Sequence, residues 1–208
     1  MAYDLEEQEQ LDALKAWWKQ NGKVVTAVVG AAFAGLIAYQ GWTYYQHQQS
    51  LKAGAQYELL AQLDIKDVKQ VRSVSGQIME NFSDSPYAAR AALMAARANY
   101  EAGDAKSARA QIEWALSHSS EDAVKSIAQL QLASLQIEEK KYDDAIKTLD
   151  AKHDPGFDGL VADLKGDILV AQGKPADARK AYAEALSKLD EQGRFRKLTE
   201  QKLDALGS

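Results

Sequence analysis

The chain has 208 residues, enough for one medium domain plus an anchor or at most two small domains, and 46% of them are apolar, so a sizeable core can be buried. The net charge of −5 argues against a nucleic-acid partner, which would select a basic stripe. Cysteine is absent, which excludes a disulfide framework, a thiolate metal site and thiol catalysis.

Helix-compatible residues dominate the rest, only Pro86, Pro155 and Pro175 interrupt, and Val/Ile/Thr runs are scarce after the first 40 residues. Composition therefore predicts an all-α chain. In residues 1–23, Leu11, Leu14 and Trp18 recur at i, i+3, i+7, the spacing of a short amphipathic helix. Asp4, Glu6 and Glu7 sit where a helix N-terminus favours negative charge.

Residues 24–42 form the one segment that breaks this polar pattern. From Val24 to Tyr39 there is no charge, and the run extends to Trp42 if Gln40 is tolerated. Nineteen helical residues rise about 28 Å, close to the roughly 30 Å of a bilayer core. Val24, Val25, Val28, Val29, Phe33, Leu36 and Ile37 together favour insertion by about 2–4 kcal/mol, opposed by Thr26 and the glycines. Trp17 and Trp18 before the run, and Trp42, Tyr44 and Tyr45 after it, can form interfacial belts. Lys15, Lys19 and Lys23 precede the run and only Lys52 closely follows it, so the N-terminus is expected in the cytoplasm and residues 43–208 outside. Ala32-Phe33-Ala34 lies inside the run, not after it, which speaks against a cleaved signal peptide. Gly30 with Ala34, and Ala31 with Gly35, are small-xxx-small spacings that would let another transmembrane helix approach.

Beyond the span the chain reads as paired helices. Helices near 47–63 and 66–82 form a degenerate first pair, closed by the breaker Ser83-Asp84-Ser85-Pro86. Ala96, Gly103, Ala108, Ile112 and Ala115 then follow a tetratricopeptide pattern, which recurs more weakly at Ala133, Ala145 and Leu149. There Lys140-Lys141-Tyr142 occupies the turn without a glycine. Pro155-Gly156 separates this repeat from the clearest one, Gly166, Gly173-Lys174-Pro175, Ala178, Tyr182 and Ala185. Ala108, Ala145 and Ala178 are 37 and 33 residues apart, against an expected period of about 34. Phe195, Leu198, Leu203 and Leu206 mark the apolar face expected of a closing helix. The predicted architecture is thus a single N-terminal transmembrane helix followed by a tetratricopeptide-type α-solenoid of about four helical hairpins with a C-terminal capping helix.

Such an array offers an extended groove lined by its inner helices. The repeat register projects Arg90, Leu93, Arg97 and Tyr100 from the first repeat, Leu130, Ser134 and Ile137 from the second, and Asp163, Asp167 and Val170 from the third. No catalytic constellation stands out. His47, His118 and His153 have no metal-ligand spacing, and the last two fall at predicted helix ends, where capping is the commoner role. No nucleophile elbow or phosphate-binding glycine loop is present, and Glu138-Glu139 and Asp143-Asp144 read as solvated faces. No enzyme, metal or cofactor is expected.

An acidic N-terminal helix leads into Asn21-Gly22-Lys23 and a Gly/Val-rich span, followed by an aromatic and Gln-rich exit from Trp42 to Gln48. Near the end come Val161–Asp167, Gln172-Gly173-Lys174 and Ala178–Tyr182. Together these resemble the YfgM family, tetratricopeptide-like ancillary subunits of the bacterial SecYEG translocon. The resemblance implies an inner-membrane protein with a periplasmic repeat domain, associated with SecYEG and the periplasmic chaperone PpiD and acting on emerging polypeptides. The repeats alone support protein binding and fit an adaptor in envelope or cell-division machinery as well.

Overall fold

The computed structural model describes residues 2–207, with side chains from Glu9 onward, so the Asp4, Glu6 and Glu7 carboxylates lie outside the described side chains. Among the described residues every regular element is helical. In order these are α1 (Ala2–Gln62), α2 (Val68–Asn81), α3 (Pro86–Glu101), α4 (Ala105–His118), α5 (Asp122–Glu138), α6 (Tyr142–Asp150), α7 (Asp158–Ala171), α8 (Pro175–Lys188) and α9 (Arg194–Ala205). A 3-10 turn at Pro155–Phe157 precedes α7.

The amphipathic segment, the apolar run and the first repeat helix, expected as separate pieces, are one 61-residue helix. Side-chain polarity changes twice along α1, but polarity does not interrupt the i→i−4 ladder. No proline occurs before Pro86 to break it. The chain divides into two compact units, Met1–Gln48 and Gln49–Ser208.

The first unit is helical throughout its described residues. Its apolar window is long enough to cross a membrane by length and composition, and none of it is buried. Val24, Val28, Phe33, Leu36, Ile37 and Trp42 are all at least 60% exposed. At its start the helix is locally bonded: Asn21 Nδ2 donates to the Trp17 carbonyl and Thr26 Oγ1 to the Gly22 carbonyl. The Trp18 indole lies across Gly22, where an added Cβ would sit 3.1 Å from Nε1.

In the second unit the core runs as three successive clusters. The first joins Leu60 of α1 to Val71 and Ile78 of α2 and to Ala88, Ala91 and Ala98 of α3. The second joins α3, α4 and α5 through Ala92, Leu93, Ala96, Ala108, Ile112, Ala128 and Leu132. The third joins Ala133 of α5, Ala145 and Leu149 of α6, and Val161 and Ile168 of α7. Helix α3 buries seven alanines, so helices can pack closely on several of its sides. Where α7 meets α8, glycine does the same work: Tyr182 packs on Gly166 and Leu189 on Gly159.

The three hairpin turns share one backbone motif. Gly103, Lys140 and Gly173 all take positive φ, at 81°, 59° and 72°. In each, the N–H of this residue donates to a carbonyl three residues back, in Tyr100, Ile137 and Val170, at 2.9 Å. The next N–H reaches five residues back, to Asn99, Gln136 and Leu169, at 2.8–2.9 Å. This is the Schellman closure of a helix C-terminus, normally built on glycine. Lys140 therefore performs the glycine's conformational task in the middle repeat.

The closing helix differs from expectation. Phe195 and Leu198 of α9 are 45% and 48% exposed, and the buried residue is Thr199. Thr199 Oγ1 donates to Asp163 Oδ1 at 2.8 Å, and Lys202 Nζ to Asp163 Oδ2 and Asp167 Oδ2 at 2.7 Å each. Thr199 and Lys202 thus meet the carboxylates of α7, while Arg196 Nη1 donates to the Leu186 carbonyl and Arg179 Nη2 to the Leu206 carbonyl, tying α9 to α8 at 2.6 Å each. Leu203 and Leu206 are half-buried, so apolar periodicity finds part of the docking side and misses its polar part.

Candidate protein-binding groove

Between α3 and α5, with α4 behind, lies a cleft of about 200 Å³. Ala96, Ala108, Ile112 and Leu135 form its apolar lining, and Arg97, Tyr100, Gln131, Ser134 and Glu138 its polar rim. Small residues at 96 and 108 leave the space open. Tyr100 Oη donates to Glu138 Oε1, bridging α3 and α5, and this bond holds the phenol pKa above its ordinary value. Arg97 Nε donates to Glu101 Oε1 at 2.8 Å on the same helix. The volume falls below the roughly 300–1,000 Å³ of small-molecule pockets. It has room for about one apolar side chain.

Three residues chosen from the repeat register, Arg97, Tyr100 and Ser134, line this cleft together. Gln131 and Glu138, which the repeat register does not project, complete the rim: they lie three residues before and four after Ser134 on α5, the spacing of one helix face.

The other register positions have different surroundings. Arg90 forms a two-pronged ion pair with Glu121, at 2.6 Å for both bonds, and also donates to the Pro86 carbonyl at 2.7 Å. The Glu121 bond raises the Arg90 pKa against the opposing effect of burial. Leu93 is buried in the second core cluster, and Leu130 and Ile137 pack against the third. Asp163 and Asp167 are engaged by α9. Val170 is 41% exposed.

The carboxylates of α7 organise a buried polar junction. Tyr182, 2% exposed, donates from Oη to Asp167 Oδ1 at 2.7 Å. Burial, then this bond, drives the phenol pKa far upward. For Lys202, burial opposes the charge, but bonds to Asp163 and Asp167 overcome it and the pKa is raised. Fully bonded in this way, the two carboxylates act as structural groups.

The histidines have local partners or none. His118 stacks on Trp114 with ring centroids 4.1 Å apart, and its Nδ1 lies 3.0 Å from the Trp114 carbonyl in the last turn of α4. His153 lies 3.0 Å from both the Ala151 carbonyl and Asp158 Oδ1, and its bond lowers the Asp158 pKa. His47 is exposed. Among the described residues no group of three or more His, Cys, Asp or Glu side chains could hold a metal ion. On α1, Ala31 and Ala34 are exposed, and a Cβ added at Gly30 or Gly35 would meet nothing within 4 Å.

A family model described as a tetratricopeptide repeat-like domain matches residues 15–208. The chain is also similar to three curated proteins, each described as an ancillary SecYEG translocon subunit. The Neisseria gonorrhoeae protein is 31% identical, with 99% of this chain and 100% of that protein covered. The Haemophilus influenzae protein is 31% identical over 89% of this chain and 91% of its own length. The Escherichia coli protein is 29% identical over 85% of each.

Proposed function

The chain belongs to the tetratricopeptide repeat-like family of ancillary SecYEG translocon subunits, and from that premise we propose that it is a single-pass inner-membrane scaffold serving the translocon. Residues 24–42 anchor it, residues 1–23 lie in the cytoplasm and residues 43–208 form a periplasmic binding domain. In this reading the domain works beside the chaperone PpiD on polypeptides leaving SecYEG, and its role is binding, not catalysis.

The observation that carries the proposal is the extent of the similarity. It takes in the apolar helix as well as the repeats, from one end of the Neisseria gonorrhoeae protein to the other. The lysine asymmetry around the run supports the orientation. The small, apolar-lined cleft with a polar rim supports capture of one side chain at a time from an extended segment. Gly30, Ala31, Ala34 and Gly35 are a surface suited to contact with a translocon helix.

The test is copurification of the full chain from detergent-solubilised membranes. SecYEG and PpiD are the expected companions, and recovery of neither overturns the proposal. Crosslinking in intact cells that returned only division proteins would favour the envelope adaptor instead. A reporter active only in the periplasm should work when fused after residue 208; activity only when fused before residue 3 would reverse the orientation.

A further inference from the structure

We propose that the turn before the apolar run is a binding site for the headgroup of an anionic phospholipid. Lys15, Lys19 and Lys23 recur at i, i+4, i+8 and share one face of α1. Lys15 is paired with Asp12 at 3.1 Å. Lys19 and Lys23 have no carboxylate partner among the described residues, so two ammonium groups stand free on the last turns before the uncharged run begins at Val24. Both line a shallow depression at the start of the run, together with Trp18, Gly22, Thr26 and Ala27. Gly22 makes it possible: without a side chain there, the Trp18 indole lies down across the helix. Thr26 Oγ1 is turned back onto the Gly22 carbonyl at 2.6 Å, so the hydroxyl at the start of the run is satisfied internally.

Charge complementarity selects the occupant. A phosphodiester at bilayer-headgroup depth meets two unpaired lysines, an indole suited to the interface, and an alanine where the acyl chain begins. A zwitterionic lipid brings its own cation to the same place and gains less. This site rests on residues 24–42 spanning a bilayer and is independent of any translocon partner.

The experiment measures lipid retained by the purified full chain in native mass spectrometry. The protein is offered phosphatidylglycerol and phosphatidylcholine in equal amounts, with matched acyl chains. The wild type should retain phosphatidylglycerol over phosphatidylcholine by about five-fold or more, the worth of one lysine at an anionic surface. Lys19→Gln/Lys23→Gln should bring the ratio to about one. The same variant with Gln10→Lys and Ala13→Lys added keeps the number of lysines ahead of the run but moves them round the helix and about 14 Å along it, away from the run; it too should show parity. Parity in the wild type, or a preference that survives relocation, overturns the site. Resistance to carbonate extraction is scored in parallel. A wild type that washes out of membranes sinks the span and the site together, whereas one that resists extraction but shows no lipid preference sinks the headgroup site alone.

Discussion

The ring of Tyr182 rests directly on the backbone of Gly166: a Cβ added at 166 would sit 2.6 Å from ring atom Cδ1 and closer still to Cε1. The ring cannot retreat without breaking its bond to Asp167. Gly166→Ala should therefore cost about 1–3 kcal/mol, the usual range for overpacking a filled core. Urea unfolding would show it as a lower midpoint, and an unchanged midpoint would mean that α7 and α8 separate easily.

Lys140 invites the opposite change. A non-glycine residue at positive φ costs about 1–2 kcal/mol, part of which glycine returns as entropy in the unfolded chain. Lys140→Gly should stabilise the domain by about 0.5–1 kcal/mol. Gly103→Ala and Gly173→Ala should destabilise it by a similar amount, and a thermal melt of each variant reads the sign directly.

Arg72 ties α2 to α3 and to the N-cap of α4. Its Nε donates to Oδ1 of the buried Asn99, and its Nη2 to Asp104 Oδ2 at 2.7 Å. Arg72→Ala strands the Asn99 carbonyl oxygen, which should cost about 1–3 kcal/mol. Adding Asn99→Leu removes the stranded group, so the double variant should recover part of the loss in chemical denaturation.

Alkaline pH should loosen the α7–α8–α9 junction. The Tyr182 and Lys202 pKa values are both raised in the fold. Each protonated form therefore contributes stability that is fully present below the unfolded value, near pH 10–10.5, and is lost as pH climbs through the raised folded value. The urea midpoint of the wild type should fall more steeply between pH 10 and 12 than that of Tyr182→Phe. Parallel curves would show that the phenol is not protected.

Ser134→Phe tests the cleft. Ser134 lies on its rim, half-buried, and a ring there would occupy the space beside Ala96 and Ile112. The variant should keep its melting temperature while losing photocrosslinks to extended polypeptides several-fold. Retained crosslinking would place client binding elsewhere on the domain.

Much of this fold was readable because it is written in local rules. Gly103, Gly173 and the small residues at 96, 108, 166 and 178 fix turn geometry and helix approach within one hairpin, and spacing alone exposes them. Where contact partners are far apart in sequence, local pattern carries little of the contact. Lys202 meets carboxylates 35 and 39 residues earlier, and no pattern within α9 announces that ion-paired contact. In the cleft, register found Arg97, Tyr100 and Ser134. It could not tell that Leu93 turns into the core while Tyr100 stays at the rim, because that depends on where the next hairpin lies. Along α1, changes of polarity suggest helix boundaries, but without a proline, a cap or a turn residue they do not end the helix.

The repeated turn also makes the chain divisible. Gly103, Lys140 and Gly173 close their helices with matching backbone bonds and hand the chain on in the same conformation. A cut at one of these turns can in principle be rejoined at another without inventing a new loop. Gene-level deletion or duplication of a whole hairpin, 33 or 37 residues long, then yields a joint the backbone already knows how to make. What limits such splicing is the side chains on either side of the seam, so the array can change length only as fast as its seams can be repacked.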